Sequence, residues 1–204
     1  MAEHLADIGN RLRAERERHA ISQRELARRI GLSASLISQI ENGQSKPSVG
    51  TLYAIVTELG VSLDQLLSSD NGAGGAAVGG EAATRSGSSR PASPVVHPTD
   101  REVIDLDSGV RWERLTSHPS DGIDFLHVIY EVGGASTADG SMMRHHGKEY
   151  GFVISGRLAV QVGFDKHVLD PGDSIAFDST IPHRLWNVGD EPVHGVWFVV
   201  GRQG

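Results

Sequence analysis

The side chains best suited to chemistry lie in two short segments of the C-terminal half. His145 and Glu149 stand four apart in Met143-Arg144-His145-His146-Gly147-Lys148-Glu149, and His183 opens His183-Arg184-Leu185-Trp186-Asn187. Successive side chains of an extended segment alternate between faces, so Met143, His145 and Glu149 share one face and His146 points away. His183 and Asn187 share a face in the same way. Two imidazoles and a carboxylate converging inward form a 2-His-1-carboxylate set, which suits Fe(II), Mn(II), Ni(II) or Zn(II) and leaves coordination positions open. The same three residues also serve as a metal-free polar network inside a barrel, and spacing alone leaves both alternatives standing. Tyr130, Phe152, Arg157, Trp186 and Trp197, with Met143, are the other candidate pocket residues. Aromatic groups beside one basic group suit a small anionic ligand. His118, His127, His167 and His194 lack comparable spacing and read as surface or packing residues.

Positioning these groups requires strands. Short alternating or apolar runs at Val110–Leu115, Phe125–Val132, Tyr150–Ile154, Leu158–Val162, Ser174–Phe177, His183–Val188 and His194–Val200 are separated by turn residues such as Ser155-Gly156 and Pro171-Gly172-Asp173. Many short strands at such spacing predict an antiparallel sandwich or barrel over 99–204. Upstream, residues 70–98 are dominated by Gly, Ala, Ser and Pro and read as a flexible linker.

The first part, 5–69, has helical periodicity. Ile8 and Leu12 mark a first helix. Ser22 caps a second, with Glu25 completing a capping box, and Gly31 ends it. Ser33 caps a third carrying Ile37 and Ile40, Ser48 a fourth carrying Leu52, Ile55, Val56 and Leu59, and Ser62 a short fifth. The helices joined by Gly31-Leu32-Ser33 have the dimensions of a helix-turn-helix, whose second helix enters the major groove.

Bulk properties set limits. The chain has 204 residues, enough for two small domains, and no Cys, so disulfides and thiolate metal sites are excluded. No apolar run approaches the roughly 18 residues of a membrane span. The N-terminus lacks a basic region followed by an apolar core, so no signal peptide is expected and a soluble cytoplasmic protein is. The net charge of −7, taken alone, argues against nucleic acid. Its distribution points the other way: in residues 1–69 eight Lys/Arg balance eight Asp/Glu, and in 70–204 eleven face eighteen. The acidic excess belongs to the C-terminal part.

Ser22-Gln23-x-Glu25-Leu26-Ala27, Gly31-Leu32-Ser33, Ile37-Ser38-Gln39-Ile40-Glu41-Asn42-Gly43 and Pro47-Ser48 through Leu52 resemble the phage-repressor (Xre-like) helix-turn-helix family over about residues 5–68. The resemblance implies DNA-facing positions at Gln23, Ser33, Ala34, Ser35, Ser38 and Gln39, with Asn42 and Lys46 touching phosphate. The segment from Met143 through His145 and Glu149 to Gly156, and that from Gly172 through His183 to Asn187, resemble the cupin family over roughly 105–202. That family has a metal-binding His where this chain has Met143, a soft neutral thioether unsuited to a hard divalent ion. Asp178 and Thr180 also replace commoner Pro and Gly.

The two resemblances together imply a multidomain α + β chain: an all-α five-helix helix-turn-helix domain followed by an all-β cupin (double-stranded β-helix) barrel. The implied function is a sequence-specific transcriptional regulator, not an enzyme, that binds a double-stranded DNA operator. Its cupin domain would sense a small-molecule effector, hold at most one divalent metal and support a homodimer. The alternative is a mononuclear cupin enzyme of the hydroxypropylphosphonate epoxidase type, whose His-x-x-x-Glu…His triad His145, Glu149 and His183 also match.

Overall fold

The computed structural model describes residues 2–61, 63, 66, 93–117 and 122–201. Its N-terminal part contains α1 (Ala2–Arg18), α2 (Gln23–Ile30), α3 (Ala34–Glu41) and α4 (Val49–Leu59). The serine caps form as their spacing predicts: Ser22, Ser33 and Ser48 accept the backbone N–H of Glu25, Leu36 and Thr51, each at 3.1 Å. A cap of this kind contributes about 1 kcal/mol. Gly31 ends α2 at φ 72°, in the left-handed region that favours glycine. The capping box is realised only in its serine half, because the Glu25 carboxylate turns instead to Arg28 and Arg29. Leu26, Ile37, Ile40, Leu52, Ile55 and Leu59 fill the helical core. Of the expected fifth helix, Leu63 and Leu66 are helical and buried, and its other positions lie outside the described residues. Four α-helices therefore stand among the described residues where five are expected.

The C-terminal part is built from β1 (Val103–Leu106), β2 (Val110–Arg114), β3 (Ile123–Tyr130), β4 (Lys148–Ser155), β5 (Leu158–Val162), β6 (Asp165–Leu169), β7 (Ser174–Asp178), β8 (His183–Asn187) and β9 (Val193–Val200). A six-stranded sheet in the order β1-β2-β3-β9-β4-β7 faces a three-stranded sheet in the order β6-β5-β8. All pairings are antiparallel. Period-two alternation sends Glu149 and Val153 of β4, His183, Leu185 and Asn187 of β8, and Val193, Trp197 and Val199 of β9 inward. All seven strands expected from the sequence form. The structure adds β1 and β6, the latter exposed at its first four positions and so without an alternating signal.

The two parts are packed together, and one continuous apolar cluster runs through both. Asp107 donates its N–H to Pro47 O at 2.9 Å, and Gly50 donates its N–H to Ser136 O at 3.3 Å. Of the linker expected at 70–98, residues 70–92 lie outside the described residues; 93–97 run irregularly into a 3-10 turn, Pro98–Asp100. Among the described residues no helix is long and apolar enough to cross a membrane.

Candidate metal centre and nucleic-acid interface

β4 and β8 bring the three chemical residues together although 34 positions separate Glu149 from His183. His145 precedes β4, its backbone N–H bonded to Ser179 O at 3.0 Å. Met143 and His183 pair backbone to backbone at 2.9 and 2.8 Å, which fixes the approach of the two segments. His145 Nε2 lies 2.9 Å and His183 Nε2 3.1 Å from Glu149 Oε1. His145, Glu149 and His183 are 4%, 3% and 0% exposed.

The surroundings fix the direction in which each lone pair points. His145 Nδ1 faces His146 O at 3.1 Å and His183 Nδ1 faces Ile181 O at 2.8 Å. A carbonyl only accepts, so both Nδ1 atoms carry the proton and both Nε2 atoms turn lone pairs inward. Trp197 Nε1–H donates to Glu149 Oε2 at 2.7 Å, orienting the carboxylate from behind. The three inner atoms, His145 Nε2, Glu149 Oε1 and His183 Nε2, are buried without a properly directed hydrogen bond. The three ligand atoms all lie within 4.8 Å of one another, an arrangement that a shared cation fits. The donor set therefore fits a metal, with backbone carbonyls and an indole N–H in the supporting shell that such sites use.

The three groups are also coupled through their charges. Burial pushes the Glu149 carboxyl up, but His145 and His183 outweigh it and hold the group well below the usual carboxylate range. Burial lowers His183, and Glu149 more than reverses this, so His183 is raised. Burial raises the Tyr130 phenol.

The other candidate pocket residues divide. Met143, Tyr130 and Trp197 are buried and line the same small cavity as Glu149. Phe152 is 46% exposed, because it alternates out of phase with inward Glu149 and Val153. Trp186 falls between inward Leu185 and Asn187 and stacks under the Arg184 guanidinium at 5.0 Å on the outside. Arg157 is exposed and paired with Asp170 at 2.9 Å. These three are corrections to the pocket, all caused by strand parity or a turn position. His127 and His194 sit on the outer face at 3.2 Å from each other, and His127 contacts Glu113 at 3.0 Å. His167 is exposed, and His118 lies outside the described residues. Asn187 anchors a turn, donating to Tyr130 O, Glu131 O and Glu191 O.

Gly151 and Tyr53 complete the site, and neither stands out in the sequence as a site residue. A Cβ on Gly151 would stand 2.2 Å from the Trp197 ring, so glycine there makes room for the indole that orients Glu149. Tyr53 comes from α4 and stacks on the His145 ring at 4.0 Å and 19°. The only sequence signal for Gly151 is a glycine inside an alternating strand, which marks close approach.

Ser35 and Gln39 of α3 and its C-cap Asn42 are exposed, with Ser33 exposed at the N-cap and Ser38 half-buried. Among the described residues the barrel leaves this ridge exposed. Asn42 Nδ2 reaches Ser38 Oγ at 3.3 Å. Ala34 packs partly against the core, Lys46 is half-buried, and Gln23 donates its amide to Glu41 at 2.8 Å.

Both domains resemble known proteins. Residues 12–66 match the helix-turn-helix family and residues 126–199 the cupin domain family. The chain is similar to the HTH-type transcriptional regulator PuuR of Escherichia coli, 27% identical over 180 residues that cover 88% of this chain and 86% of that protein. It is also similar to the HTH-type transcriptional regulator SutR of the same organism, 21% identical over 92% of this chain and 90% of that protein. The crystal structure of an HTH_3 family transcriptional regulator from Vibrio cholerae superposes with a TM-score of 0.65 at 23% identity, covering 98% of each chain, and shows a shared fold. The chain is a helix-turn-helix transcriptional regulator with a C-terminal cupin domain.

Proposed function

We propose that this regulator reads its operator through the outer ridge of α3 as a homodimer, and that its barrel senses a small-molecule effector at one divalent metal held by His145, Glu149 and His183. The observation that carries the sensor reading is the set of three buried acceptor atoms that face one another without a donor. Two nitrogens and one oxygen, with no sulfur within the set, suit Zn, Fe, Mn or Ni and leave positions for an oxygen-donor effector. Met143 supplies an apolar wall there, with Tyr130 and Trp197 beside it.

On the DNA side, Gln39 suits bidentate contact with adenine, and Ser33, Ser35 and Ser38 suit base edges or phosphate. Asn42 and Lys46 set position through phosphate. Gln23, held by Glu41, and Ala34, held by the core, contribute least. Two recognition helices spaced on one duplex require a second copy. The outer face of β4 and β9 suits that copy: Tyr150, Phe152, Ile154 and Phe198 are exposed there, an apolar patch of the kind that marks an interface. The domain limits 5–69 and 99–204 and a cytoplasmic location follow from the same reading.

Fluorescence anisotropy with DNA from upstream of the regulator's own gene tests the first half. Binding should weaken with salt, and Gln39→Ala should cost about 1–3 kcal/mol. Absence of salt-sensitive binding would overturn it. Sedimentation of Phe152→Asp tests the second, where a dimer that persists unchanged would move the interface elsewhere.

A further inference from the structure

The helical domain packs over the His145, Glu149 and His183 cluster. The first turn of α4 leaves backbone N–H groups without helical partners, and Gly50 gives its N–H to Ser136 O of the barrel. Glycine also allows the close approach: a Cβ on Gly50 would lie 3.2 Å from Thr137 Cγ2 and 3.4 Å from Met143 Cβ. One turn on, Tyr53 covers the His145 ring and leans on Trp112 at 5.5 Å and 55°. Val49 and Tyr53 are 1% and 3% exposed, although they belong to a helix of the other domain.

What remains inside is very small. The cavity walled by Val49, Tyr53, Met143, Glu149 and Trp197 has a volume of about 10 Å³, room for about one water molecule. Directly beside it, an open cleft of about 470 Å³ separates α3 and α4 from the 137–144 segment. Met143 lines both spaces, so it stands as the partition between them.

We propose that α4 is a lid supplied by the DNA-reading domain, and that a chelating oxyanion can join a metal on His145, Glu149 and His183 only when Tyr53 withdraws. Effector occupancy and domain docking are then mutually exclusive. Because α3 leads into α4 through residues 42–48, release of the lid reorients the recognition helix relative to the barrel. The exposed ridge of α3 is uncovered in the closed state, so the lid controls where the reading head stands rather than masking it. The inference rests on the metal reading above.

The test uses the full-length chain loaded with Co(II), whose visible absorption reports coordination, and oxalate as the chelating oxyanion. The chain contains no Cys, so Gly50→Cys combined with Thr137→Cys places one disulfide across the junction. The oxidised pair variant should take up Co(II) yet show no spectral response to oxalate, and reduction should restore the response. Tyr53→Ala should bind oxalate at least about tenfold more tightly than the parent. Amide exchange at Gly50 and Asp107 of the parent should accelerate by about tenfold or more on oxalate binding. Equal oxalate binding by oxidised, reduced and Tyr53→Ala proteins, or binding by none, would overturn the lid while leaving Co(II) binding intact. If Co(II) itself gives no visible bands with the parent, the metal reading fails and the lid fails with it.

Discussion

Two buried polar clusters, one in each domain, show what separates a structural network from a binding site. In the helical domain Arg16 and Glu41, 7% and 3% exposed, form a bidentate pair at 2.6 and 2.8 Å. Arg16 gives a further bond to Ile21 O at 2.8 Å, and Gln23 adds a donor to Glu41 at 2.8 Å. Donors meet acceptors, and the cluster is complete in itself. In the barrel His145, Glu149 and His183 are buried to the same degree, but their inner atoms are all acceptors. The first cluster is complete in itself; the second has a geometry that a cation fits.

The contrast is broken most severely at Glu41. Glu41→Ala leaves the Arg16 guanidinium buried without its carboxylate, and removing one partner of a buried pair costs about 3–5 kcal/mol. The thermal midpoint should fall steeply while the intact barrel still binds metal at temperatures where the protein remains folded. A midpoint close to the parent's would show that the pair is not structural.

Glu149→Gln probes the other cluster and should behave oppositely. It removes the charge that the metal needs, so metal binding should be abolished in a dialysis titration. Stability of the chelated protein should stay within about 1 kcal/mol of the parent, since an amide can donate where three acceptors faced one another. A large loss of stability without metal would make the barrel trio a structural network like the first.

Trp197→Phe sharpens the comparison at its finest grain. It keeps the aromatic wall and deletes the N–H that orients Glu149 Oε2. Metal affinity should fall by about 10–100-fold, the usual effect of an outer-shell partner. Unchanged affinity would show that the indole only packs. Gly151→Ala should act in the same direction by displacing that ring.

Much of the fold is legible in the sequence because the local signals agree with the global architecture. Serines at Ser22, Ser33 and Ser48 announce helix starts, and Gly31 announces an end. Parity puts His145 and Glu149 on one face and turns His146 away, while the meeting with His183 comes from the opposite sheet. The same parity, applied consistently, puts Phe152 outside, whereas its aromatic character suggests a pocket wall. Strands β1 and β6 are hidden for different reasons: β1 is only four residues long, and β6 exposes nearly every side chain. Arg16 and Glu41 look like ordinary charged helix positions, since a long-range pair has no local period. Tyr53 is invisible for the deeper reason that its role depends on domain docking. A Gly- and Ser-rich stretch predicts loose connection, whereas the contact is made by α4, before that stretch begins.

The most direct test of the metal centre is metal content, measured by elemental analysis of full-length protein purified without chelator and then titrated with Zn(II), Fe(II), Mn(II) and Ni(II). One divalent ion per chain is expected, retained through dialysis by the parent and absent from both Glu149→Gln and His183→Ala. A parent protein that retains no divalent ion under any of these conditions, or variants that retain it equally, would contradict a metal held by His145, Glu149 and His183.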